Sequence, residues 1–215
     1  MATPAALRTA VTDLAVLANH DLDALWRQVN TANEARSALL DVLPALVDTY
    51  SLASATLSAD WYDEARDMVD AKGRFTAFPA DLGELGADAL ARWGIGPLFD
   101  AVPDWARART QVEGGLQLRI ANASRYTIAE SSVADPAASG WQREGAGSCA
   151  FCAMLIGRGA VYTEAGADFA AHDHCNCSAV PAFEGEPRPV KPYTPSAKQA
   201  TDADRARVRA YLRDH

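Results

Sequence analysis

Along the first third of the chain, apolar side chains recur at intervals of three and four. Leu7, Val11, Leu14, Ala18, Leu22, Leu25 and Val29 form one stripe, the spacing that lines up on one face of a helix of several turns. Thr31 and Glu34 follow with the spacing of a capping box, which predicts that a second helix opens there and runs through EARSALLDVLPALVDTY. Pro44 lies inside that run and either kinks the helix or stands in the first turn after a break. A third helix is predicted over SATLSADWYDEARDMVDA, ending near Gly73, and GRFTAFPADL (73–82) reads as a loop. GADALARWGIGPLF predicts a short helix ended by Gly94, Gly96 and Pro97. PDWARARTQVEGGLQLRIANASRYTIAESS predicts another long one, weakened by Gly114 and Gly115. Trp26, Trp61, Tyr62, Trp93 and Trp105 are expected to pack inside the resulting bundle, because aromatic side chains supply large buried area. No internal repeat is visible.

The pattern changes near Asp135-Pro136. From there to Phe183 the chain is rich in glycine and short apolar pieces, among them GWQRE, AVYTEA and SAVPAF. Such pieces suit short strands and tight turns better than helices. EGEPRPVKPYTPS then brings four prolines in thirteen residues, which predicts an extended arm or linker. TDADRARVRAYLRDH reads as a short charged helix capped by Thr201 or Asp202.

Composition adds bounds to this outline. The 215 residues are 49% hydrophobic and 22% charged, as in folded globular proteins. The net charge of -8 argues against simple binding to a phosphate backbone by the whole molecule. The sign is unevenly spread. Residues 1–80 carry 11 acidic side chains against 6 basic, whereas from Arg188 onward there are 7 basic against 3 acidic. Contact with nucleic acid such as DNA is therefore expected at the tail rather than on the helical body. Arg205, Arg207, Arg209 and Arg213 nevertheless alternate with Asp202, Asp204 and Asp214, which breaks up a basic face. An Arg and an Asp interrupt the apolar N-terminal stretch, so no signal peptide is expected. Nor is a membrane span, for want of a run of about 18 apolar residues.

The candidate chemistry is concentrated. All four cysteines lie in GSCAFCAMLIGRG (147–159) and AHDHCNC (171–177). In a reducing compartment such a cluster points to a metal or to redox chemistry before structural disulfides. Cys149-x-x-Cys152 is a two-thiolate knuckle, and His172, His174, Cys175 and Cys177 follow about 20 residues later. Zinc takes four Cys or His ligands at tetrahedral angles, commonly as two close pairs separated by a loop. His172 with Cys175 repeats the gap of the first knuckle and ranks first as the second pair; Cys177 replaces one of them in the next arrangement. His174 is a supporting group or spare ligand. A thioredoxin-type pair would need a βαβ pattern that the sequence lacks. An iron–sulfur cluster fits poorly with a tight Cys-x-Cys. A nucleophilic Cys152–His172 pair would be an arbitrary selection from a set that already satisfies a metal.

The fold expected is therefore α+β and mostly α. A helical domain (1–133) precedes a small zinc-stapled α+β module (134–184), in which structural Zn2+ substitutes for a core too small to stand alone. A Pro-rich arm with a short charged helix (185–215) completes it.

CAFCAMLIGRGAVYTE followed by HDHCNCSAVPAF resembles the C-terminal region of Mu F-like minor capsid (head morphogenesis) proteins of tailed bacteriophages, closest to the actinophage type. The residues matching that signature are Cys149, Cys152, His172, Cys175 and Cys177, with SAVPAF as the strand that follows. GWQRE, ADWYDEAR and ARWGIGPLF extend the likeness over most of the chain. One position departs from it: the family commonly has proline directly after the histidine, and this chain has Asp173. The resemblance implies a low-copy, non-enzymatic structural protein of the phage head, associated with the portal or the major capsid protein and located in the virion or, during assembly, in the host cytoplasm. A capsid maturation protease and a zinc-dependent nucleic-acid binder are the alternatives. For the protease the sequence offers no G-x-S-x-G or H-E-x-x-H. His20 and His215 have no nucleophile pattern nearby, and Ser131 and Ser132 read as a helix end.

Overall fold

A computed structural model describes residues 2–145, 150–157, 159, 161–165, 169, 171, 175–185, 187, 201–203, 206, 207 and 210. The chain is mostly helical, with one small antiparallel sheet, as the sequence predicts.

Helix α1 spans Pro4–Trp26. Thr3 caps it by accepting from the Ala6 N–H at 3.1 Å, and Pro4 occupies the first turn, where its missing N–H costs nothing. Its buried stripe is Leu7, Val11, Ala15, Ala18, Leu22 and Leu25. Helix α2 begins at Ala32 behind the expected capping box: the Glu34 N–H donates to Thr31 Oγ1 at 3.2 Å, and Glu34 Oε2 accepts from the Thr31 N–H at 3.3 Å.

Where two helices are predicted between Glu34 and Gly73, the structure has one. Helix α2 runs unbroken from Ala32 to Met68 with Pro44 inside it. Proline there removes one backbone hydrogen bond and costs about 3 kcal/mol. The buried series Ala35, Leu39, Leu43, Val47, Ser51, Ala55, Ala59 passes straight through the proline, and its packing holds the helix together. A step of four residues advances about 40° around the axis, so successive parts of α2 face different neighbours. It packs on α1 and on two helices further along the chain, α3 (Ala87–Gly94) and α4 (Trp105–Ala134). One stretch of α2 also reaches the length and mean hydropathy of a membrane span, a property it shares with core helices of folded domains.

The α2–α4 contact is lined with small hydroxylic residues. Ser54 donates to the Ile120 carbonyl at 2.8 Å, and the Ser58 and Ser124 hydroxyls lie 2.7 Å apart. Helix α3 lies equally close to α4. A Cβ on Gly115 would sit 2.3 Å from Leu90 Cδ1, and one on Gly94 would sit 2.4 Å from Val112 Cγ2. Gly115 therefore marks a helix crossing, where the sequence suggests only a weak point. Asp104 caps α4 by accepting from the Arg107 N–H at 2.9 Å. A short 3-10 turn, Gly96–Phe99, links α3 toward α4.

Four of the five aromatics packed as expected are at least half-buried; Trp93 is the exception. It is 53% exposed, because the eight-residue α3 turns Leu90, Ala91 and Gly94 inward and Trp93 outward. Trp26 and Trp105 meet edge to face at 6.4 Å. Ser131 and Ser132 lie in the last turn of α4 and are buried, which agrees with the helix-end reading.

After α4, strand β1 (Gly140–Glu144) pairs antiparallel with β2 (Ser178–Ala182), in the register Gly140↔Ala182 to Glu144↔Ser178. Gly140 begins β1 at φ +135°, and a Cβ there would meet the Tyr162 carbonyl oxygen at 2.2 Å, so only glycine fits. The expected strand in AVYTEA is reduced to single bridges, Trp141↔Tyr162 and Val161↔Pro187. The largest departure is CAFCAMLIG, where turns and strands are expected. Ala150–Gly157 form helix α5. Both strands pack on α4, and Trp141, Cys152, Phe169, Cys175, Cys177, Ala179 and Val180 join the same hydrophobic core as the bundle. At the far end, residues 202, 203, 206, 207 and 210 are helical.

Candidate metal centre

Three of the sequence-predicted ligands come together. Cys152 sits on α5, while Cys175 and Cys177 lie on the segment that leads into β2. Their sulfurs all lie within 4.8 Å of one another. The three residues are 2%, 3% and 5% exposed. Cys149, His172 and His174 fall outside the described residues.

The separations fit a metal better than a disulfide. Cys152 Sγ and Cys175 Sγ are 3.8 Å apart, far beyond an S–S bond of about 2.05 Å. Metal–sulfur bonds of about 2.3 Å at tetrahedral angles set sulfurs about 3.8 Å apart. Three such sulfurs form one face of a tetrahedron. The donor set is soft, as zinc and other thiolate-binding metals prefer, and among the described residues no carboxylate belongs to it. The residues present thus fit a metal ion. Among the described residues the sheet is two antiparallel strands, without the parallel βαβ unit of a thioredoxin-type site.

Proton chemistry in the cluster is strongly asymmetric. The Cys175 thiol is pushed down, to about 4, first by a hydrogen bond from the Cys177 thiol, with the Cys177 N–H, the Arg125 charge and Cys152 adding to it against burial. The Cys177 thiol is pushed up, because it donates to Cys175 and because burial disfavours its ionised form. Sulfurs this close repel as thiolates, and a bound cation lifts that repulsion.

The cluster is held by residues that the spacing argument passes over. Arg125 of α4 donates from Nε to the Cys177 carbonyl at 3.0 Å. Its Nη2 reaches the carbonyls of Cys175 at 2.7 Å and Cys177 at 2.9 Å, and its Nη1 reaches Asn122 Oδ1 at 2.7 Å. Burial lowers the pKa of this guanidinium to about 10, a shift that the cysteines oppose and Arg143 assists. Phe169 lies beneath two cations, 4.6 Å from Arg125 Cζ and 3.7 Å from Arg143 Cζ to the ring centre. It also stacks on Trp141 at 5.9 Å, whose indole N–H donates to the Glu164 carbonyl at 3.0 Å. A signal for Arg125 is present in the sequence. It falls in the inward stripe Ala121, Arg125, Ile128, Ser132, where a charge requires a partner.

The three cysteines are buried and come from two separate segments of the chain. A metal bound to the three sulfurs would tie α5 to the entrance of β2, while Arg125 ties that entrance to α4.

No curated protein and no solved structure matches the chain. It does match one protein family, described as VG15 protein, over residues 2–201. That span takes in the helical body, the two-stranded sheet and all three clustered cysteines. The chain is therefore a member of the VG15 protein family, a family of phage proteins.

Proposed function

We propose that the chain is a structural, non-enzymatic minor capsid protein of a tailed phage or prophage. In this reading it docks to the portal or the capsid interior during head assembly, and its cysteine cluster holds a structural zinc ion. The observation that carries the structural reading is the burial of all three clustered cysteines. Structural zinc sites are closed by four protein ligands, whereas catalytic ones keep a position open to water or substrate. Membership of a phage family and the resemblance of the cysteine segments to Mu F-like proteins support the assignment to the head. Val16, Leu17, Val42 and Leu52 leave apolar surface exposed on α1 and α2, which suits docking by the helical body. Cys152, Cys175 and Cys177 would hold the metal. Bound there, it supplies cross-linking in place of apolar burial.

Affinity-tagged chain, co-expressed with the portal protein and the major capsid protein of the same phage, tests the proposal. Co-purification with portal rings or procapsids, and detection of the chain in purified virions, are expected. Absence from both assemblies and from virions would overturn it, and cleavage of the major capsid protein would favour a protease instead.

A further inference from the structure

Cys175 and Cys177 are separated by a single residue, and their sulfurs lie within 4.8 Å of each other. The chain between them is curled, and one nitrogen marks the curl. Arg125 Nη2 donates to the carbonyls of both residues, at 2.7 and 2.9 Å. Those two oxygens therefore lie no more than about 5.6 Å apart, whereas an extended strand spaces residues i and i+2 by about 6.6 Å. Nε of the same side chain donates again to the Cys177 carbonyl, at 3.0 Å. Between the two, Asn176 Oδ1 accepts from Gln117 Nε2 of α4 at 3.1 Å. All three residues of the turn are thus tied to one helix.

The orientation of the Arg125 fork has its own support. Nη1 donates to Asn122 Oδ1 at 2.7 Å, three residues earlier on α4, and the Phe169 ring centre lies 4.6 Å from Cζ. Arg125 is 1% exposed and has no carboxylate partner among the described ion pairs. A buried guanidinium facing neutral carbonyls is costly, and an apolar side chain would fill the space without that cost. What the apolar side chain could not do is hold two carbonyls, and with them two thiol-bearing residues, at one fixed separation.

Resting on the zinc reading above, we propose that Asn122 and Arg125 are successive positioning residues of the metal centre. Asn122 orients the guanidinium, and the guanidinium holds Cys175 and Cys177 together in the metal-free chain. Helix α4 thereby sets the affinity of the site, because metal binding does not have to order the turn.

Competition for zinc with a chromophoric chelator, on the full chain under reducing conditions, tests this. Arg125→Lys keeps the charge and loses the fork; it is expected to weaken zinc binding by about 10- to 100-fold, the range for groups supporting metal ligands. Asn122→Ala leaves Arg125 in place and introduces a better helix former. It is expected to weaken zinc binding by a smaller factor, with the metal-free chain melting no lower than the parent. Parent-like zinc affinity in folded Arg125→Lys would overturn the role of the fork. Should that variant fail to fold, Asn122→Ala decides, and parent-like affinity there would overturn the proposal. So would an affinity loss accompanied by a lower metal-free melting temperature, which would assign Asn122 to helix stability. A parent chain that takes up no zinc would overturn the zinc reading itself.

Discussion

Arg66, in the last turn of α2, and Asp135, the residue after α4, form a buried ion pair with Nε and Oδ2 3.0 Å apart. The Asp135 carboxylate also accepts from the Tyr62 hydroxyl at 3.2 Å and the Ala137 N–H at 2.9 Å, and Arg66 Nη2 donates to the carbonyls of Lys72 and Gly73. One carboxylate thus joins the ends of the two longest helices and the turn toward β1. Asp135→Ala leaves Arg66 charged and buried, and is expected to cost about 3–5 kcal/mol in urea denaturation. Arg66→Met combined with Asp135→Asn should cost less than the two single changes added together. Strict additivity would show that the pair is not coupled.

Gly115 and Gly157 are both helical, but only one is crowded. Alanine is the better helix former at either site by about 0.5–1 kcal/mol. At Gly157, the last residue of α5, an added Cβ meets nothing within 4 Å, whereas at Gly115 it meets Leu90 at 2.3 Å. Gly157→Ala should be neutral or slightly stabilising, and Gly115→Ala should lower stability by about 1–3 kcal/mol through overpacking. Thermal melts of the two variants compare the signs.

Metal removal should act on the cysteine module more than on the bundle. The chelated protein is expected to keep most of its far-ultraviolet helical signal, because α1, α2 and α4 carry most of the helical residues and pack on one another through side chains other than the cysteines. Its melting temperature should fall. Cys152→Ser, Cys175→Ser and Cys177→Ser should each abolish stoichiometric zinc by elemental analysis. Binding requires thiolates, so acid competes with the metal and retention should fall as pH falls. Stoichiometric zinc surviving in any of the three variants would remove that residue from the ligand set.

Glu130 gives a pH-dependent test. Its pKa is raised, first by burial and second by the neighbouring Asp81 carboxylate. The folded chain therefore holds this proton more tightly than the unfolded chain, and stability is lost as pH rises through the carboxyl range. Glu130→Gln should raise the melting temperature at neutral pH and leave it unchanged in acid, where Glu130 is already protonated. An equal gain at both pH values would contradict the assignment.

Much of this structure is readable from local signals. Thr31 and Glu34 place the start of α2, since a capping box is satisfied within one turn of chain. Pro44 misleads because its penalty is local while the burial of Leu43 and Val47 that offsets it is not. Helix α5 is missed because CAFCAMLIG is apolar on every side, and a short apolar run carries no helical period. Trp93 faces outward because its position on a two-turn helix, and not its residue type, sets its exposure. The cysteines are found by spacing, whereas Arg125 meets Cys175 across 50 residues. Phe169 gathers its two arginines from separate elements. Pairings of that kind are set by tertiary packing, which a one-dimensional pattern does not record.

The position of Arg125 has a further consequence, for the order of events during synthesis. Helix α4 ends at Ala134, before any of the cysteines, and chains fold from the N-terminus as they emerge from the ribosome. The bundle and its buried arginine are therefore made before the first ligand. The strand that completes the module, β2, arrives last. The helical body can thus serve as a finished seat, and capture of a metal by the cluster would come only after the cysteines and β2 have been made.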